Sequence, residues 1–419
     1  MQSSQFIQCL VALAVTSAAV AGCSDQPVTP VARTAADVHA RVLTLDTHVD
    51  TPLFLMRPGF DFLARHDPLR QMSQVDWPRM QEGKLDAAFW AVYVAQGELS
   101  EKGLRDAAAQ ADRIFARIHQ FVEKYPDKVA LVTSAPEVRA AVAGGKHAVL
   151  IGVENGFALG GDVARVWRFH ELGARYIGLI HSRNNDLGDS STDASGPLHG
   201  GLSKRGREAV REMNRAGIMV DVSHASDATF WDMMEVSSTP PIASHSSARA
   251  VYDHPRNMTD DMLRAIARRG GVVQVNTLSS YIADLKNSPE RQAALDEMRA
   301  ELRADATASA GGAMERFWLA MGAVNARFPP PLATLADVAD HIDHMVDVMG
   351  IDHVGVGADF DGGGGVSGMY DVSEIGNLTA ELLKRGYSET DIAKIWGGNL
   401  LRVLDLVESQ AETPSTAAR

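Results

Sequence analysis

Cysteine is nearly missing from this chain of 419 residues, where only Cys9 and Cys23 occur. No disulfide can form within the chain after Cys23, so the body must rely on its own core. Positive charge is also short, since 40 Lys and Arg face 53 Asp and Glu, a formal net charge of −13. With no basic run, nucleic acid is excluded as a partner. No apolar stretch after Cys23 is long enough to span a bilayer. Familiar catalytic signatures are missing too. There is no His-Glu-x-x-His helix and no Gly-x-Ser-x-Gly elbow. No Gly-x-Gly-x-x-Gly follows the first apolar strand candidate, and the glycine run 362–365 lacks the Gly-Lys-Ser/Thr of a phosphate loop.

What is present begins with an apolar, small-residue segment that stops at Val20-Ala21-Gly22-Cys23. Residues 1–22 read as an export signal, too short in its apolar core to be a membrane span. Small residues directly before a cysteine resemble the bacterial lipoprotein cleavage box, which makes Cys23 the lipidation site. Met1 to Gln8 holds no Lys or Arg, and a plain secretory signal is the competing reading. Ser24 resembles an outer-membrane sorting residue. The expected arrangement is a tether at 23–40, a folded body at 41–408 and a flexible tail at 409–419. The expected location is the periplasm, with membrane contact only through the lipid.

Through the body, near-continuous apolar runs alternate with amphipathic stretches. Strands are expected at 42–45, 87–94, 148–153, 176–180, 218–222, 241–243, 272–275 and 354–356. Apolar on both faces, they suit parallel strands buried between layers. Helices are expected at 104–125, 164–172, 204–215, 260–269 and 335–349. About eight strand–helix repeats imply a (β/α)₈ TIM-type barrel rather than a doubly wound sheet. Residues 284–334 break the rhythm and read as a helical insertion after the seventh strand, returned to the barrel by Pro329-Pro330-Pro331.

Ligand-type residues sit where these strands end. His48 and Asp50 follow the first, Glu154 the third, His181 the fourth, His224 the fifth, His245 the sixth, and Asp359 with Asp361 the eighth. One buried histidine alone is usually a core residue, and one acidic residue after a strand is often a helix cap. About six such coincidences on the face where barrel active sites lie point to metal binding. Imidazoles with carboxylates suit Zn²⁺, with Mn²⁺ or Co²⁺ as substitutes, and the ligands are too many for one tetrahedral ion. Two ions bridged by a carboxylate fit better, and the expected nucleophile is then a metal-bridging hydroxide. His66, His119, His170, His341, His344 and His353 fall elsewhere and read as solvated surface.

The pieces Asp46-Thr47-His48-Val49-Asp50, Gln74-Val75-Asp76-Trp77-Pro78-Arg79-Met80, Phe89-Trp90, Gly152-Val153-Glu154, His181-Ser182, Ser244-His245-Ser246-Ser247-Ala248, Arg256-Asn257 and Gly357-Ala358-Asp359-Phe360-Asp361-Gly362 go further. At these residues the chain resembles the membrane (renal) dipeptidase family, metallopeptidase family M19, from about Val42 to Glu408. The resemblance implies a zinc dipeptidase acting on free dipeptides, including those with a C-terminal D-residue. It implies that His48 and Asp50 bind one zinc, that His224 and His245 bind the second, and that Glu154 bridges them. His181 would contact the scissile carbonyl and the tetrahedral intermediate. Arg256 would bind the substrate carboxylate, and Asp359 would hold the amine and relay a proton to the leaving group. Thr47 and Val49 stand where members often have Gly and Asn, and neither is a ligand. Animal members carry bridging cysteines that this chain lacks, so any homodimer is not disulfide-linked. Two other readings compete. Other binuclear amidohydrolases cleave lactones, cyclic amides or phosphotriesters, and usually bridge their metals with a carboxylated lysine after the fourth strand, where this chain has His181. A non-catalytic lipoprotein on the same fold should have lost its ligand residues first.

Overall fold

A computed structural model describes residues 34–304 and 310–412. Eight parallel strands form a nearly closed barrel. They are β1 (Leu45–Val49), β2 (Ala87–Tyr93), β4 (His147–Glu154), β5 (Ala174–Gly178), β6 (Met219–Asp221), β7 (Ile242–Ala243), β8 (Val272–Val275) and β9 (Val354–Val356). The short β3 (Val129–Leu131) pairs with β4 outside this ring and was not expected from the sequence. Between β9 and β1 the ring is joined beyond the strands, where Asp50 N–H donates to the Phe360 carbonyl at 2.9 Å and Asp359 N–H to that of His48 at 3.1 Å.

Side chains alternate in and out along each strand. Phe89, Leu150, Tyr176, Met219, Ile242 and Val272 share one buried cluster with Leu400, Leu404 and Val407 of the last helix, Asn399–Glu408. Trp90, Val92, Ile151 and Val153 belong to a second cluster, with Phe115, Ile118 and Phe169 of the surrounding helices. The barrel interior is thus filled with apolar groups toward the last helix, and its polar residues gather at the other end.

The first strand corrects its expected place. It was expected at 42–45 and runs over Leu45–Val49, with all five residues buried. The strand continues past the apolar run because its polar side chains find partners inside. Thr47 Oγ1 donates to the Ser244 carbonyl at 2.6 Å, and Asp46 accepts the N–H groups of His48 and Ala358 at 3.0 Å. Residues 35–39, expected in the tether, form the helix Ala35–His39, whose His39 hydrogen-bonds Thr379 and Gly83. Cys23 and the signal segment lie outside the described residues, as does the tail from 413. His341 was expected at the surface and is buried, since its Nδ1 accepts from Ala248 N–H at 3.1 Å.

The segment from Ser73 to Arg79 braces the loop after β9. Gln74 Nε2 donates to the carbonyls of Gly364 and Tyr370 at 2.7 and 2.6 Å. Arg79, 1% exposed, pairs with Asp76 at 3.0 Å and Asp371 at 3.3 Å. Removing this guanidinium strands two shielded carboxylates. We therefore expect Arg79→Met to destabilise the fold by about 3–5 kcal/mol in urea unfolding. A loss within experimental error would show that the pairs are solvated in solution.

Candidate metal centre

All the strand-end ligand candidates except Asp361 reach one spot at the C-terminal mouth of the barrel. His48, expected beyond the end of its strand, lies within β1, with Asp50 just past it. Glu154 is the last residue of β4. His181, His224, His245 and Asp359 follow β5, β6, β7 and β9 within three residues each. Three groups hold ligand atoms within 4.8 Å of one another: His48–Glu154–His245, Glu154–His181–His224 and His48–Asp50–Asp359.

The two oxygens of Glu154 face different histidines. Oε2 lies 3.7 Å from His48 Nε2, whereas Oε1 lies 3.0 Å from His224 Nε2 and 3.3 Å from His245 Nε2. His48 Nε2 is 3.4 Å from Asp50 Oδ2. His181 stands farther out, 3.9 Å from Glu154 and 21% exposed. His224 and Asp359 adopt left-handed backbone, with φ of 67° and 63°. Such conformations are strained for residues other than glycine and persist where surroundings dictate them, often at functional sites.

Hydrogen bonds behind the rings set which nitrogen faces the centre. Tyr176 Oη donates to the Thr47 carbonyl at 3.2 Å, so His48 Nδ1 donates to Tyr176 Oη at 2.9 Å. Ser244 Oγ donates to Asp221 Oδ2 at 2.6 Å, so His245 Nδ1 donates to Ser244 Oγ at 2.8 Å. With a metal in place, both rings would present a bare Nε2 inward, as metal-binding histidines do. Gly152 makes room for this arrangement, because a Cβ there would fall 2.0 Å from the Tyr176 ring.

These donors fit a divalent cation and little else. His224 Nε2 and His245 Nε2 are only 2.9 Å apart. Burial, with Arg256 and neighbouring histidines, presses both rings well below the usual histidine range, so both are neutral at pH 7. His245 Nδ1 carries its ring's proton, so His245 Nε2 offers its lone pair toward His224 Nε2, which either a proton on that nitrogen or a cation shared by both rings satisfies. Burial opposes charge on His48 as well, but Glu154, Asp50 and Asp359 raise it to about 10. Burial raises Glu154 well above the carboxylate range and Asp359 to about 7, with Asp50 adding to both. His48 Nε2 and Asp50 Oδ1 are buried and without hydrogen-bond partners. The family of electron-pair donors thus converges with too few protons to share.

Not every candidate belongs to the cluster. Asp361 turns away and accepts from Gln74 N–H at 2.6 Å and Thr51 Oγ1 at 2.8 Å, a brace rather than a ligand. A cavity of about 670 Å³ opens over the centre, with Asp50, Glu154, His181, His224 and Asp359 in its wall. Arg256 lines a separate small recess beside His224 and Ser246. Its guanidinium donates to Ser246 Oγ at 3.3 Å and the His245 carbonyl at 3.1 Å, stands 5.5 Å from the Tyr281 ring centroid, and has a buried Nε without a partner. Sequence reading missed Tyr176, Asp221 and Ser244. A polar residue inside an apolar strand, and the Ser directly before His245, were the only signals for them.

Fold and centre together define a metal-using hydrolase built on an eight-stranded parallel barrel. The model of the membrane dipeptidase family, peptidase family M19, matches residues 32–417. The chain is 35% identical to the dipeptidase verJ of Clonostachys rogersoniana, over 88% of this chain and 85% of that one. Its fold matches the probable dipeptidase PvdM of Pseudomonas aeruginosa with a TM-score of 0.76 and 31% identity, covering 90% and 98% of the two chains. A metallopeptidase of Rhodobacter sphaeroides, liganded with a phosphinate mimic of the dipeptide L-Ala-D-Ala, matches with a TM-score of 0.70 and 26% identity, covering 87% and 99%. The chain belongs to the membrane dipeptidase family and is a metallo-dipeptidase of that type.

Ser244→Ala leaves His245 Nδ1–H without its acceptor while sparing the ring. Metal affinity should fall about 10- to 100-fold, as is usual when the hydrogen bond behind a metal-binding histidine is lost. Competition with a chromogenic chelator measures this, and unchanged affinity would place His245 outside the metal site.

Proposed function

We propose that the enzyme hydrolyses the peptide bond of free dipeptides with two zinc ions. His48 and Asp50 would hold one ion, His224 and His245 would hold the other, and Glu154 would bridge them. The observation that carries this reading is the division of the Glu154 carboxylate, one oxygen toward His48 and the other toward His224 and His245. When bound, such a pair of ions supplies a water acidic enough to attack a carbonyl at neutral pH.

The remaining groups orient the substrate and handle its proton. Ser182 Oγ lies 3.1 Å from His181 Nδ1, and if it donates there, His181 Nε2–H points into the cavity as a donor for the carbonyl oxygen. Burial presses His181 down to about 3, so it serves as a neutral hydrogen-bond donor. Asp359 binds the free amine. Raised to about 7 by burial, it can take the proton of the attacking water and pass it to the departing nitrogen as the C–N bond breaks. Arg256 binds the free carboxylate through its unpartnered Nε edge. Tolerance for a C-terminal D-residue is supported by the L-Ala-D-Ala mimic bound to the Rhodobacter relative. Among the described residues no lysine lines the cavity, which favours this reading over amidohydrolases bridged by a modified lysine.

Ala-Ala should be cleaved, while N-acetylated and C-amidated forms should lose at least about a hundredfold in kcat/KM, because each leaves a buried charge unpaired. Equal rates on blocked and free forms would remove the roles given to Asp359 and Arg256. Glu154→Gln should lower turnover at least about a thousandfold and reduce bound metal. Full activity in metal-free protein would contradict the mechanism.

We also propose that export and lipidation at Cys23 hang the barrel on the periplasmic side of a bacterial membrane, supported by the small residues before that cysteine. Cys23→Ser should shift the protein from the membrane to the soluble fraction with its activity kept. A wild-type protein wholly soluble, with an N-terminus other than residue 23, would favour a plain secretory signal.

A further inference from the structure

The insertion between β8 and β9 forms part of the catalytic cavity. Its second helix, Ala310–Arg327, brings Phe317, Trp318 and Met321 into the cavity wall, and its first, Pro289–Ala304, brings Arg291. Leu278, Leu285 and Leu332 extend this mainly apolar lobe, whose wall also holds Asn287, Arg291 and Asn325. The lobe is rigidly supported. Trp318 stacks on Phe54 with ring centroids 5.3 Å apart, and the Arg57 guanidinium lies 4.9 Å over the same indole. Arg291 is buried and donates to Asn325 Oδ1 at 2.9 Å and to the Phe328 carbonyl, which ties the two helices together. A Cβ on Gly322 would fall 2.0 Å from the Arg70 carbonyl oxygen, so the second helix sits directly on neighbouring backbone. Phe317, by contrast, remains 37% exposed with its ring toward the cavity space.

The lobe has a definite position relative to the reacting groups. Asp359 is in the cavity wall, and so is the glycine run 362–365 that follows it. A Cβ on Gly363 would stand 3.2 Å from Leu278 Cδ1, so the glycine run carries the wall from Asp359 to the lobe. Arg256 reaches the same cavity from another side, behind His224 and Tyr281, which both stand in its wall. The lobe thus adjoins Asp359, the amine end of the site, through the glycine run and Leu278. The whole cavity, at about 670 Å³, falls in the range of about 300–1,000 Å³ that takes drug-sized ligands, and a dipeptide of two alanines leaves most of it to water.

We propose that this lobe is the subsite for the side chain of the substrate's N-terminal residue, and that the enzyme selects free dipeptides whose N-terminal residue is bulky, apolar and uncharged. The inference rests on the dipeptidase reading and on Asp359 as the amine anchor. A single methylene in an apolar pocket changes kcat/KM by roughly tenfold or more, and an aromatic ring adds several such groups.

The test is a comparison of kcat/KM for Phe-Ala, Ala-Phe and Ala-Ala with the metal-loaded full chain. Phe-Ala should exceed Ala-Ala at least about tenfold, and Ala-Phe should not. Phe317→Ala and Met321→Ala should each reduce the Phe-Ala to Ala-Ala ratio about fivefold or more. Leu319→Ala, on the same helix but 61% exposed and outside the cavity wall, should keep the wild-type ratio. A ratio near one, a preference that follows Ala-Phe, or a full ratio in both Phe317→Ala and Met321→Ala would overturn the subsite while leaving the dipeptidase reading intact. Failure to cleave any free dipeptide would instead overturn the dipeptidase reading itself.

Discussion

The rest of the molecule is organised around one electrostatic problem. Three carboxylates and four imidazoles share the mouth of the barrel, and all but His181 are buried. Water cannot solvate their charges, and the protein offers few protons to divide among them. Glu154 and Asp359 are driven toward protonation, His48 is driven to keep its proton, and His224 and His245 are driven to lose theirs. Such opposed tendencies within a few ångströms are costly in a protein left to itself. Cations in the centre resolve them together, because they accept every lone pair and offset every negative charge.

Much of the upper barrel serves to hold those groups in place. Tyr176 and Ser244 take the outer N–H of His48 and His245, and Asp221 anchors Ser244 in turn. Asp46 ties β1 to the end of β9 through two backbone N–H groups. Asp361 and Gln74 fasten the next loop to the segment that Arg79 secures. The left-handed backbone at His224 and Asp359 is tolerated because these neighbours leave the chain no alternative. The apolar lower half, closed by Asn399–Glu408, provides the packing that offsets this strain.

Barrel strands were legible because each is an apolar run, and their ends were legible because a histidine or carboxylate breaks that run. His48 shows the limit of that signal. Its strand outlasts the apolar residues, since Thr47 and Asp46 are satisfied by partners just beyond β7 and beyond β9, nearly 200 and more than 300 residues away. Asp361 carried the same strand-end signature as Asp359, and only tertiary contacts separate the brace from the site residue. Tyr176 and Asp221 were hidden because a lone polar residue in a buried strand does not say what it bonds. The helices of the insertion were visible as patterns, but their placement over the cavity depends on packing against Phe54 and Arg70, far away in sequence.

Two ions in this centre are what every role given above depends on. Crystals of the purified protein, measured on both sides of the zinc absorption edge, would decide whether they are present. We predict two anomalous peaks roughly 3.5–4 Å apart, flanking the Glu154 carboxylate, one beside His48 and Asp50 and the other beside His224 and His245. No peak, or a single peak remote from Glu154, would contradict the central claim.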